Sequence, residues 1–236
     1  MQRDLDRSLW ARLRLELRVI GLAPPATALA APLAGAVLVA VLHATGATAA
    51  DLDRAAGAVL AGFAPLGVAI AASSVTARDP GAELVMTSTP YRRVVFLRTA
   101  LVVGAGALAT FVDAVTFRAL GAWPKGQGTG GYLLVWAPPM IWLTAVAVLI
   151  AVALRSSAAA GGLIGGVWLG QLVLAHDIVS HTVLRAQFLF MGVADKVQAH
   201  DWTVNRISLP AVGLAAAAAA GVLLGRPERL LGSDAA

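Results

Sequence analysis

The chain has 236 residues, of which 58% are apolar and only 13% charged, and its mean hydropathy is +0.78. Soluble chains carry about 25% charged residues, and a soluble domain of this length could not hide so much apolar surface, so composition places the chain in lipid. The absence of cysteine excludes disulfide frameworks, cysteine zinc sites and thiol nucleophiles.

The N-terminal segment, residues 1–22, reads as a helix lying in the membrane interface. Leu5, Leu9, Leu13 and Leu17 recur every four residues, and Trp10 and Ile20 widen the stripe. Arg3, Arg7, Arg14 and Arg18 cluster beside it, where they can meet lipid phosphates. Pro24-Pro25 then breaks the backbone and allows a sharp turn into the first crossing.

Crossing a hydrocarbon core of about 30 Å takes about 20 apolar residues in an α-helix. Six stretches qualify: 24–44, 55–77, 94–117, 131–154, 157–177 and 207–225. The third carries Arg98 near one end and Asp113 near the other, both close enough to an interface to snorkel or pair, with Arg118 the expected partner of Asp113. The expected architecture is an all-α membrane protein with one transmembrane domain over 1–236, six transmembrane helices and an N-terminal interfacial amphipathic helix. With the N-terminus inside, twelve Arg and Lys residues fall on the cytoplasmic side and six outside, which favours a multi-pass protein of the cytoplasmic membrane with both termini in the cytoplasm. The net charge of +5 is therefore mostly topology, and no nucleic-acid partner is expected.

The first cytoplasmic loop, 78–93, is longer than a plain turn, which needs only about two to eight residues. Asp79 can cap a helix with Pro80 at its first position, Glu83 suits the positive end of the helix dipole, and Pro90 ends the helix before Tyr91-Arg92-Arg93 begins the next span. The run Glu83-Leu-Val-Met-Thr-Ser-Thr-Pro90-Tyr-Arg-Arg93 resembles the first cytoplasmic loop of ABC-2 type permeases, the membrane subunits of ATP-driven exporters. The interfacial helix, six spans and a long outer segment before span six extend the resemblance to the whole chain.

The resemblance implies an ABC-2, type V exporter-like transmembrane domain. It implies ATPase coupling through Arg78, Glu83, Leu84, Met86, Pro90, Arg92 and Arg93, and an interfacial helix acting through Leu9, Trp10, Leu13, Arg14, Leu17 and Arg18. The implied partners are two copies of an ABC ATPase subunit, a second permease copy or sister permease, and the bilayer. ATP and Mg belong to the ATPase. Span five carries Ala158, Gly162, Gly166 and Gly170 at four-residue spacing, a ridge that lets another helix approach closely, either within the chain or from a second subunit. In the resembling exporters this helix lies near the subunit interface and lines the path, which assigns Gly162, Gly166 and Gly170 that role.

The outer segment, 178–206, contains an apolar patch, Gln187-Phe-Leu-Phe-Met191, suited to the short helices that dip into the outer leaflet in those exporters. His176, His181 and His200 with Asp177, Asp195 and Asp201 match no metal-site spacing, so no metal is assigned. No Gly-x-x-x-x-Gly-Lys-[Ser/Thr] occurs, so the chain is expected to be no enzyme by itself. The alternative reading is a non-catalytic membrane scaffold, or a transporter or intramembrane enzyme that uses no ABC ATPase.

Because the native chain has no cysteine, topology is directly testable. A cysteine at Ser88 is expected to react with a membrane-impermeant maleimide only from the cytoplasm, and one at Gln127 only from outside. Labelling of Ser88 from outside would overturn the orientation.

Overall fold

Prolines and glycines decide where the helices start, widen and stop. The computed structural model describes residues 21–76, 91–123, 131–193 and 198–225. The interfacial stretch 1–20, with Leu9, Trp10, Leu13, Arg14, Leu17 and Arg18, lies outside the described residues, as do Arg78, Glu83, Leu84, Met86 and Pro90 of the coupling loop.

Helix α1 spans Ala23–Ala44 and begins with Pro24 and Pro25 in its first turn, where a missing backbone N–H costs nothing. It ends in a left-handed glycine. Gly46, at φ 74°, lets its own N–H reach the His43 carbonyl at 3.2 Å and the Ala47 N–H reach Leu42 at 3.0 Å, so two terminal carbonyls are satisfied. Helix α2 follows as Ala49–Ser74, capped by Thr48, whose hydroxyl accepts from the Asp51 N–H at 3.2 Å. Its turn Val59–Phe63 is a π-helix immediately before Pro65. Proline has no N–H and its ring crowds the carbonyl four residues back, and widening the preceding turn relieves both problems.

Helix α3 is Tyr91–Ala119 and ends with the same device at Gly121, whose neighbour Ala122 donates to the Phe117 carbonyl at 2.8 Å. Helix α4 is Tyr132–Leu154 and runs through Pro138-Pro139. Arg155, at φ 52°, reverses the chain, and Ser156 caps α5, Ser157–Val173, by accepting from the Ala159 N–H at 3.1 Å. The short helices α6, Ala175–Ser180, and α7, Thr182–Arg185, lead to a 3-10 turn at Leu189–Gly192 and then to α8, Ala199–Leu224.

Among the described residues the protein is all-helical, and five helices are long and apolar enough to cross a membrane: α1, α2 from Ala49 to Ser74, α3, α4 and α8. Helix α5 is apolar but has 17 residues, about 26 Å of rise, and the chain bends at Leu174 before α6. The last long helix starts eight residues earlier than the hydropathy of 207–225 indicates, because two charges that mark a loop in the sequence are accommodated within it. Asp201 pairs with Arg185 at 3.1 Å, and Arg206 is buried under Trp202.

Helices α2 and α4 form the centre, with 67% and 56% of their apolar windows buried against 22–33% for α1, α3 and α8. Helices α1 and α3 pack on α2, α5 packs on α2 and α4, and α8 lies along α4. The α4–α8 seam closes at Gly213, where a Cβ would stand 3.1 Å from the Ile141 carbonyl oxygen and the Trp142 Cα. Outside, the bundle presents large apolar side chains such as Leu33, Val37, Phe96, Leu108, Val112 and Leu214, while Thr110, Asp113, Asn205 and Arg206 are buried. An apolar exterior around a polar-containing interior is the arrangement lipid demands. The chain is a helical membrane protein.

Candidate functional site

Between α7 and the 3-10 turn, residues 186–188 are irregular backbone folded onto the bundle, and side chains of two helices hold them there. The Asn205 side-chain amide on α8 donates to the carbonyls of Arg185 at 3.1 Å, Ala186 at 3.1 Å and Phe188 at 2.9 Å. One turn further along, the Ser208 hydroxyl also donates to Ala186. From α5, Gln171 donates to the Gln187 carbonyl at 3.2 Å and accepts from the Leu189 N–H at 2.8 Å. Non-helical backbone is tolerated at membrane depth only where protein satisfies it, and these three side chains supply that satisfaction.

Held this way, Phe188, Leu189, Phe190 and Met191 are all at most 4% exposed. Phe190 meets Trp168 of α5 edge-on at 5.8 Å and Phe188 at 5.9 Å, and Trp168 meets Phe63 at 4.9 Å. Gly62 in the widened turn of α2 makes the space: a Cβ there would collide with the Phe190 ring and reach within 3.0 Å of the Trp168 indole nitrogen. The apolar patch recognised in the sequence therefore plugs the space between α2, α5 and α8.

Beside this plug sits a buried cation that sequence reasoning assigned to an outer loop. Arg206 is 3% exposed, its guanidinium lies 3.9 Å from the centre of the Trp202 ring, and among the described residues none of its three nitrogens has a hydrogen-bond partner. The stack on indole is its compensating interaction. The spacing of Trp202 and Arg206, four residues apart and just ahead of an apolar run, was the available signal. Asp113 also turns inward: it is 6% exposed and its Oδ2 has no hydrogen-bond partner. Arg118, its expected partner, instead lies over the Trp123 ring at 5.9 Å, and among the described residues no ion pair joins it to Asp113.

The remaining sequence-derived residues fall in two separate places. Gly162, Gly166 and Gly170 share the outward face of α5, while Ala160, Ile164 and Trp168 on its other face are buried. A Cβ at Gly161, Gly162, Gly165, Gly166 or Gly170 meets nothing within 4 Å, so this small-residue face packs on no other part of the described chain. Arg92 and Arg93 begin α3 and border a cavity of about 620 Å³ between α3, α4 and α8. The coupling residues are thus represented by these two arginines alone among the described residues.

No protein-family model, no curated protein and no solved structure matches the chain.

Replacing Asn205 by Leu leaves the Phe188 carbonyl without its donor, while the Arg185 carbonyl keeps the Phe188 N–H and that of Ala186 keeps Ser208. A buried unsatisfied group costs about 1–3 kcal/mol, and the variant is expected to lose stability of that order. Tryptophan fluorescence during unfolding in detergent reads that loss. A cysteine at Met191, protected in the parent chain, is expected to become reactive to maleimide in the Asn205→Leu background. Unchanged stability with Met191→Cys still protected would show that the segment is held by other means.

Proposed function

We propose that the chain is the membrane-spanning permease subunit of an ATP-driven exporter of the ABC-2 type. It forms the translocation path as a dimer, with itself or a sister permease, and is driven by two separate ATPase subunits that bind ATP and Mg. In this reading α5, continued by α6, makes a sixth crossing. Both termini face the cytoplasm, and residues 1–20 lie as a helix in the cytoplasmic membrane surface.

The observation that carries the reading is the open face of α5. Small residues repeat in membrane helices where another helix must come close, and within the described chain nothing approaches Gly162, Gly166 or Gly170. A second permease seated on that ridge accounts for glycines that the fold of one subunit does not need. The loop motif ending in Pro90-Tyr91-Arg92-Arg93 supplies the link to a motor. ATPase closure would push on the Glu83–Thr89 helix and the interfacial helix, and rock the spans between inward and outward access. A span interior with so few charges suits an amphiphilic or lipid-like cargo.

Two variants test the reading in a reconstituted complex. Gly166→Cys is expected to form a disulfide-linked permease dimer on mild oxidation in the membrane, as the chain has no other cysteine. Glu83→Arg is expected to abolish cargo transport and ATPase retention while the chain still inserts, since breaking a desolvated charge contact costs about 2–5 kcal/mol. Glu83→Gln is expected to be milder. Near-normal transport by Glu83→Arg would contradict the proposal, and a Gly166→Cys chain that stays uncrosslinked would contradict self-association and leave only a sister permease.

A further inference from the structure

The cavity between α3, α4 and α8 has the shape and chemistry of a lipid site. It has a volume of about 620 Å³, within the range of about 300–1,000 Å³ typical of sites that enclose a small molecule. Its lining reaches from Arg92 to Val103 on α3, about 16 Å along the helix axis. That length is apolar except at two levels. At one end stand the exposed guanidinium groups of Arg92 and Arg93. Deeper, Thr99 and Thr144 belong to the lining, with hydroxyl oxygens covered by protein and, among the described residues, without a hydrogen-bond partner.

The cavity also opens sideways. Phe96 and Val222 belong to its lining and are 75% and 60% exposed on the apolar flank of the bundle, so an occupant enters from the acyl-chain region.

We infer that this cavity binds an anionic phospholipid of the leaflet that meets the Arg92–Arg93 end. The phosphate lies against the two guanidinium groups, and an acyl chain fills the apolar length beside Val103, Ile141 and Val148. Charge selects the head group, because basic clusters between membrane helices attract anionic lipids. Lipid binding here requires neither an ATPase nor a second permease, although Arg92 and Arg93 also belong to the proposed coupling loop.

The full-length protein, placed in nanodiscs of equal parts phosphatidylglycerol and phosphatidylcholine and then released for native mass spectrometry, tests this. The parent chain is expected to retain one phosphatidylglycerol, with a preference of about tenfold over phosphatidylcholine. Arg92→Gln with Arg93→Gln is expected to bring that preference close to one while a lipid is still held. Gly221→Leu is expected to abolish retention of both lipids. Gly221 lines the cavity and a Cβ there meets nothing within 4 Å, so the new side chain occupies the lipid's space. Ala217→Leu, also on the lining, repeats the test should Gly221→Leu fail to fold. Equal retention of the two lipids by the parent chain would overturn the proposal. So would undiminished retention in a folded filled variant, or a lipid-free parent in which a cysteine at Gly221 cross-links to one within residues 2–20.

Discussion

One side-chain amide, that of Asn205, holds the irregular stretch between α7 and the 3-10 turn. In water the carbonyls of Arg185, Ala186 and Phe188 could be solvated. In a membrane protein they need internal donors: the two N–H groups of Asn205 are shared among all three, with Ser208, Gln171 and the Phe188 N–H completing the set. That anchoring brings Phe188–Met191 inward, which in turn requires Gly62 to lack a side chain and Trp168 to turn its edge to Phe190. The widened turn ahead of Pro65 belongs to the same arrangement, because it carries Gly62 to the plug. A proline, a glycine, two aromatics and three amide or hydroxyl side chains on different helices thus depend on one another.

Much of the architecture was legible because hydrophobic length is a direct physical demand of the bilayer. Spans one, three and four agree with α1, α3 and α4 to within three residues at each end. What hydropathy misread was charge that the tertiary structure neutralises. Asp201 and Arg206 look like loop residues in sequence, yet an ion pair to Arg185 and a stack on Trp202 let both sit in α8. The expected pairing of Asp113 with Arg118 failed for a related reason: Trp123, brought back over α3 by the Gly121 turn, gives Arg118 an aromatic face instead. The cavity was not legible at all. Its lining residues come from three helices far apart in sequence, and orphaned threonine hydroxyls leave no sequence pattern.

The protein presents two unequal outer faces, and they point to different neighbours. On α5 the surface is lowered by consecutive glycines, which favours the broad, close contact of another helix. Elsewhere, α3, α4 and α8 leave an apolar cavity with one cationic end, suited to a single amphiphile. In the proposed assembly one flank takes a helix and the other a lipid, and α4 contributes Ile141, Ala145 and Val148 to the lipid slot.

The central claim is that this chain is one part of a motor-driven complex. Its most direct measurement is the mass of the assembly extracted from its native membrane through a tag on this chain, with lipids retained. The account predicts two permease chains together with two P-loop ATPase subunits. A solitary chain, carrying lipid but no nucleotide-binding subunit, would contradict it.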